Sequence, residues 1–566
     1  MARRPPALAL ALAAVLAAAG SAAAGDATGR ARAAICGPSC YAAPAGTGAL
    51  LLFTGHGAGH GVGMSQYGAY GYAQNGWSYD RILAHYYPGT TLGTTSVPTL
   101  RVLLASDRKT LMISSTAPIT VTDGTGATHT LAAGKASLDP GLELAVDGQP
   151  AQPLSPPLTF APTAGATLTL GRAYRGKLVV DVVGGKLRAI DVVGLEQYLD
   201  GVVPAEMPPS WSPAALEAQA VASRSFALAT RTAGAPFDVY GDSRSQLYLG
   251  VAAEKPTTTA AVAATAGQVL LYGGKVATTP YSSTSGGRTE SAADVWGGRA
   301  VPYLVSVPDP YDGISPYHDW GPVALTAQTA ARDLGVTGRI VDATTTPNAA
   351  GRVATLDVVT AGGSAGPAVP TGTPVAGTVA AAKLGLPSTW FAVGVLSLAA
   401  PPAGAPMSYG TKVTLTGLAR GVGGVVLEQR PFGRPWSDVA PATPSAGGAI
   451  AVVQAPAITT DYRLATSSAA TAYVRIRVSP RVSLTAPQSA SVVAGTERPV
   501  LPRAPVLVQE QNASAPPAWT TVVRGTVDAS GSFSVAVSLS PGTYRAVVAP
   551  GHGFSPGASA VVTVAG

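Results

Sequence analysis

At 566 residues the chain is too long for one hydrophobic core, so several domains are expected. Its 67 glycines and 48 prolines favour short strands and turns over long helices. The net charge of +7 is dispersed rather than gathered into basic runs, which argues against a nucleic-acid partner. That charge either serves solubility or favours an anionic surface.

Met1-Ala2-Arg3-Arg4 is a charged start, followed by an apolar run from Ala7 to Ala19 and the small residues Ala22-Ala23-Ala24. This is the pattern of a secretory signal peptide over 1–24, with an apolar run shorter than the roughly 20 residues a membrane span needs. The mature chain is expected to be exported, to begin near Gly25 and to have no membrane span after cleavage. Residues 25–48 read as a small-residue linker. It carries the only two cysteines, Cys36 and Cys40. In an exported chain they fit a small-loop disulfide, and a metal site needs more ligands than these.

A short strand at Leu50-Leu51-Leu52-Phe53 leads into Gly55-His56-Gly57-Ala58-Gly59-His60-Gly61-Val62-Gly63. Glycine at every second position strips one face of side chains, so this backbone can approach a ligand or another segment closely. Helices are predicted from about Met64 and over 78–87, the second capped by Ser78 and stopped by Pro88-Gly89. Between 97 and 190 alternating apolar and polar residues predict short strands. A helix is predicted from Ser212 to about Arg231, with Pro213 at its first position. Another covers 258–265, and a strand follows at Val269-Leu270-Leu271-Tyr272.

Ahead of the long helix, Glu206 sits in Val203-Pro204-Ala205-Glu206-Met207-Pro208-Pro209. The spacing places it on a proline-bracketed loop with Val203, Met207 and Trp211 nearby. It is either a solvated surface glutamate or a desolvated one with a raised pKa, suited to general acid work. His56 and His60 have i, i+4 spacing, but the glycines between them argue against the helix that a zinc motif needs. The glycine run is a poor phosphate loop, and no nucleophile elbow is formed. No metal or cofactor is expected.

Past 398 strands alternate with Gly and Pro turns. Val426-Leu427-Glu428-Gln429 echoes Leu507-Val508-Gln509-Glu510, Trp436 echoes Trp519, and Tyr462-Arg463 echoes Tyr544-Arg545. The offset of about 81 to 83 residues predicts two tandem all-β sandwich modules of immunoglobulin/fibronectin-like type, 398–480 and 481–566. They act either as wall or carbohydrate binders or as spacers. The expected fold class is therefore an α+β catalytic-type core rich in short strands, 49–397, followed by the two modules.

Several separate stretches carry a resemblance. Gly201-Val202-Val203-Pro204-Ala205-Glu206-Met207-Pro208, Ala218-Gln219-Ala220-Val221-Ala222-Ser223-Arg224 and Gly286-Gly287-Arg288-Thr289-Glu290 resemble the SpoIID/LytB family, stage II sporulation protein D and the amidase enhancer. So do His60-Gly61-Val62-Gly63-Met64-Ser65-Gln66-Tyr67-Gly68-Ala69 and Ile82-Leu83-Ala84-His85-Tyr86-Tyr87-Pro88-Gly89-Thr90. The resemblance implies a peptidoglycan lytic transglycosylase acting on glycan strands, secreted or held at the cell wall. Glu206 falls where family members place the catalytic acid/base. Arg224, His60, Gln66 and Tyr67 match positions near the cleft and imply substrate contact. Glu196 is a further candidate, electrostatic or structural. The alternative is a non-catalytic wall protein that recruits or enhances an amidase. Two departures stand out. The Gly-His-Gly segment precedes the glutamate block here, whereas in the sporulation prototypes it follows. Ser283-Thr284-Ser285-Gly286-Gly287 lacks the Cys or His with which some relatives hold a metal, so no zinc is expected there.

Overall fold

The computed structural model describes residues 36, 39–44, 48–163, 165–232, 234–361, 371–399, 405–485, 491–512 and 518–565. The expected signal peptide, 1–24, and most of the expected linker lie outside these residues. Among the described residues no helix is long and apolar enough to cross a membrane.

The core is mixed α+β. Its helical part holds α1 (Gln66–Gln74), α2 (Tyr79–Tyr86), α3 (Leu195–Glu206), α4 (Pro213–Thr230) and α5 (Pro256–Ala264). Ser65 caps α1 by accepting from Gly68 N at 3.1 Å. Pro213 opens α4 at a position whose amide has no helical partner anyway. Ala215, Leu216, Ala218, Val221 and Ala222 of α4 are buried against Met64, Ile82, Leu83 and Tyr86. Ala220 and Ala227 face the other way, onto Tyr198, Leu199 and Val202 of α3. A helix rich in alanine therefore packs on both flanks, because small side chains let its neighbours approach closely.

The β-rich stretch forms a seven-stranded sheet whose centre is Thr99–Arg108, Lys186–Gly194, Lys177–Val183 and Leu158–Pro162. A four-stranded sheet including Leu111–Ser115 and Gly134–Leu138 accompanies it. Alternate residues Leu178, Val180, Leu187 and Ala189 are buried, as period-two patterning requires. The strand Lys186–Gly194 then runs directly into α3.

Strand pairing brings the early and late parts of the core together. Leu50–His56 lies antiparallel to Phe391–Leu398, with Leu50 opposite Leu396. The two ends of the core are thus neighbours. Met64–Ser65 pairs in parallel with Tyr281–Ser282, which brings the Gly-His-Gly segment beside the later one.

Phe391–Leu398 also pairs with Val413–Arg420, which pairs with Ala449–Gln454. One five-stranded sheet therefore crosses the expected boundary at 397/398. The expected linker is not free either. Cys36 and Cys40 are joined as a disulfide. Tyr41–Ala42 pairs with Ala469–Ala470, and Cys36 N donates to Glu428 Oε1 at 3.0 Å. This segment finishes a sheet edge of the first C-terminal module.

Three strands in each half of the repeat are arranged alike. Val426–Pro431 lies between Ser437–Pro441 and Thr460–Ala465, as Pro505–Gln511 lies between Trp519–Thr526 and Gly542–Val548. Arg463 sits 4.2 Å over the Trp436 ring and Arg545 sits 4.1 Å over Trp519. Tyr462 and Tyr544 are both buried.

The last module carries a buried acid. Glu497 is fully enclosed. Burial pushes it up to about 7, with the Leu501 amide only partly offsetting this. The folded state therefore holds the proton that the unfolded chain releases. The stability this confers is complete below the ordinary glutamate range and is lost as pH rises through about 7. The loss is on the order of 3 kcal/mol. Calorimetry at pH 5 and pH 8 is expected to show this module melting lower at pH 8, and Glu497→Gln is expected to remove most of that slope.

Candidate functional site

Glu206 is the last residue of α3, not part of a loop. Pro204 removes one helical amide, yet the helix continues to its cap, where Met207 N bonds Val203 O at 2.9 Å. Buried Leu199, Val202 and Val203 hold this end in place. Met207 is forced into extended backbone (φ −125°, ψ 142°) because Pro208 follows it. The carboxyl therefore projects from a fixed helix end.

Around it lies a set of mostly neutral polar groups. Leu247 N donates to Glu206 Oε1 at 3.2 Å. Gln66 Nε2 donates to the Glu206 carbonyl at 3.0 Å and reaches Gln219 Oε1 at 3.4 Å. Gln219 Nε2 donates to Ser223 Oγ at 2.9 Å. The Tyr281 hydroxyl accepts from Gln246 Nε2 at 2.9 Å and from Ser223 Oγ at 3.4 Å, which leaves its one hydrogen for the Glu206 carboxyl. Tyr198 steadies Gln246 from behind, donating to its Oε1 at 3.1 Å. Burial raises the Glu206 pKa, and the contacts from Leu247, Tyr281 and Gln66 pull it partly back.

An aromatic group flanks this set. Trp211 stacks on Tyr70 at 4.6 Å, and Tyr67 meets it edge-on at 4.8 Å. Tyr67 N is tied to Ser283 O at 3.0 Å. Tyr67, Tyr70 and Trp211 thus form one aromatic cluster, joined to the polar set through the neighbouring Gln66.

The other expected site residues are placed differently. His60 does not reach the carboxyl. Its Nδ1 accepts from Val62 N at 3.0 Å, its other nitrogen bonds the Tyr281 main chain, and its ring lies 5.3 Å from Trp296. Burial, helped by Arg352, pushes it down to about 4, so it is neutral at neutral pH and steadies the Tyr281 strand. Arg224 is corrected from substrate contact to the interior. It is fully buried, and its guanidinium grips Glu196 through Nε at 3.0 Å and Nη2 at 2.5 Å. Its Nη1 donates to Gln268 O at 3.0 Å. Ser223 and Arg224 are adjacent, so they point about 100° apart, one to the site and the other away. Glu196, ten residues before Glu206, lies roughly 15 Å back along α3. Gln219, Ser223, Gln246 and Tyr281 were not singled out from sequence. The i, i+4 pair Gln219/Ser223 on an otherwise small, apolar helix was the available signal.

The glycine run packs against protein. At Gly61 (φ +75°) an added Cβ would fall 2.5 Å from Arg352 Nη2, and at Gly63 (φ +73°) 2.1 Å from Pro280 O. His56 and His60 do not share a partner either, since His56 Nδ1 pairs with Asp319 at 2.6 Å. Gly63→Ala is expected to push the Pro280–Tyr281 strand away and to cost about 3 kcal/mol through overpacking and left-handed strain. A melting curve checks the loss.

Residues 183–272 match the family described as Stage II sporulation protein, SpoIID. Stage II sporulation protein D of Bacillus amyloliquefaciens is 36% identical over 176 residues, 28% of this chain and 50% of that one. The Amidase enhancer of Bacillus subtilis (strain 168) is 40% identical over 118 residues, 20% of this chain and 15% of that one. An uncharacterized protein of Brachyspira hyodysenteriae is 37% identical over 153 residues, 26% of this chain and 41% of that one. The chain spans half or less of the length of these relatives. The segment similar to the SpoIID family model contains Glu206 and the whole of α4. A two fibronectin type-III domain segment from chicken tenascin covers 30% of this chain and 97% of that one at 13% identity, with a TM-score of 0.19, too low to assign a fold.

Proposed function

We propose that this protein is an exported lytic transglycosylase of peptidoglycan glycan strands. The observation that carries the reading is a single carboxyl, raised by burial and held at a helix end by neutral donors, with an aromatic group beside it. Glu206 would protonate the glycosidic oxygen between N-acetylmuramic acid and N-acetylglucosamine. The resulting carboxylate then takes the proton of the muramoyl 6-hydroxyl as that oxygen bonds to C1. This leaves a 1,6-anhydro end and returns the carboxyl to its starting state. The internal nucleophile makes a second catalytic carboxylate unnecessary, in contrast to paired-acid glycosidases. Gln66 and Tyr67 are assigned to substrate positioning, His60 to support of Tyr281, and Glu196 and Arg224 to the frame that aims α3. The C-terminal modules are read as immunoglobulin/fibronectin-like wall-binding units.

The test is digestion of purified glycan strands, with and without stem peptides, followed by mass spectrometry for 1,6-anhydro ends. Anhydro products from wild type and none from Glu206→Gln support the reading. No products from wild type on either substrate overturn it. The match to a protein named Amidase enhancer then favours the second reading, a wall protein that recruits or stimulates an amidase.

A further inference from the structure

The two C-terminal modules meet around a cavity of about 480 Å³. Its lining carries four arginines, Arg430, Arg434, Arg475 and Arg477, and one aspartate, Asp461. Asp461 is already engaged, accepting from Arg430 Nη2 at 2.8 Å and from Arg475 Nε at 2.7 Å. Arg430 also lies 4.8 Å from the Trp436 ring centre, and Arg475 lies 5.6 Å from that of Tyr473. Two guanidinium groups are thus held in place before any ligand arrives, which lowers the entropy lost on binding. Asp461 is the one carboxylate among the lining residues, set against four guanidinium groups.

Both modules build the walls. Phe432 N bonds Thr459 O at 3.0 Å, and Thr459 N bonds Gly553 O at 3.1 Å across the seam. Phe432 is 59% exposed at this lining. Forked cations bind carboxylate or phosphate oxygens in pairs, and an open aromatic face accepts the apolar face of a sugar. We propose that this seam is a binding site for an anionic saccharide, a sugar unit of a wall polymer bearing a carboxylate or a phosphate. The wall-directed reading above supplies the source of the ligand, but the site does not require Glu206 to be catalytic.

The test uses the full chain and three probes: wall sacculi, sacculi stripped of phosphodiester polymers by hydrofluoric acid, and soluble glycan oligomers bearing muramic carboxylates. Sedimentation reads the first two and calorimetric titration the third. Arg434→Glu combined with Arg477→Glu is expected to weaken binding to at least one probe by at least about tenfold. Release of anhydro ends from short soluble glycan should be unchanged. The probe on which the difference appears identifies phosphate or carboxylate as the recognised group. Lys135→Glu with Lys186→Glu, on the β-rich part of the core, is the charge-matched control. Equal binding by wild type and the arginine variant overturns the proposal, as does equal weakening by the control. If charge reversal lowers the melting temperature, Arg434→Gln with Arg477→Gln is read in its place by the same criteria. A wild type that binds none of the probes refutes the site whatever Glu206 does. Absence of anhydro products from wild type leaves a positive binding result standing.

Discussion

Glu206→Gln is expected to reduce formation of 1,6-anhydro ends about 10³- to 10⁴-fold while leaving the melting temperature within a degree or two of wild type. The amide keeps the size of the carboxyl and can still accept from Leu247 N, so the helix end stays where it is. What disappears is the transferable proton, needed twice in each turnover, and general acid–base groups are worth about 10²–10⁴-fold per role. The pH profile adds a second signature. The first step needs the protonated acid, so activity should fall as pH rises through the elevated Glu206 pKa. Tyr281→Phe removes a donor that favours the charged form. The alkaline limb of the profile should therefore move to higher pH in that variant. A limb that stays put would argue that the titrating group is not Glu206.

Arg224→Ala should unfold the protein more easily without impairing the fraction that remains folded. Removing the guanidinium strands Glu196 beside a newly emptied space and frees the Gln268 carbonyl. Breaking a buried ion pair from one side costs about 3–5 kcal/mol, and the low end applies because Glu196 keeps 36% of its side chain exposed. Chemical denaturation measures the loss. Single-turnover digestion of glycan at low temperature separates it from catalysis. A rate per folded molecule near that of wild type is expected, since Arg224 points away from the Glu206 carboxyl. A large fall in that rate with stability intact would return Arg224 to the substrate.

Much of this arrangement was legible in the residues, for identifiable reasons. Ser78 before an apolar-periodic run and Pro213 before alanines mark helix starts locally, and α2 and α4 begin within a residue of those marks. The internal repeat was visible because each half carries the same Tyr-Arg and Trp positions, which the structure joins as Arg-on-Trp contacts. The surroundings of Glu206 were less legible. Leu247 and Tyr281 reach it only through tertiary folding, across 41 positions in the case of Leu247. Glu206 itself was misplaced by one structural step, because the three nearby prolines suggest a loop while buried Val202 and Val203 keep the helix intact past Pro204. The Arg224 bond to Glu196 spans 28 positions. No local pattern distinguishes such a buried arginine from one that faces a ligand.

The strand Phe391–Leu398 has a practical meaning for dissecting this molecule. It hydrogen-bonds to Leu50–His56 on one side and to Val413–Arg420 on the other. A chain cut at 397 would carry the strand but not its outer partner, exposing a long apolar edge that invites pairing with other copies. A chain beginning at 49 would also lose Tyr41–Ala42 from the opposite sheet of the neighbouring module. The smallest piece that should stay monomeric therefore runs from the disulfide loop through about residue 480. Shorter fragments are better suited to studying aggregation than catalysis.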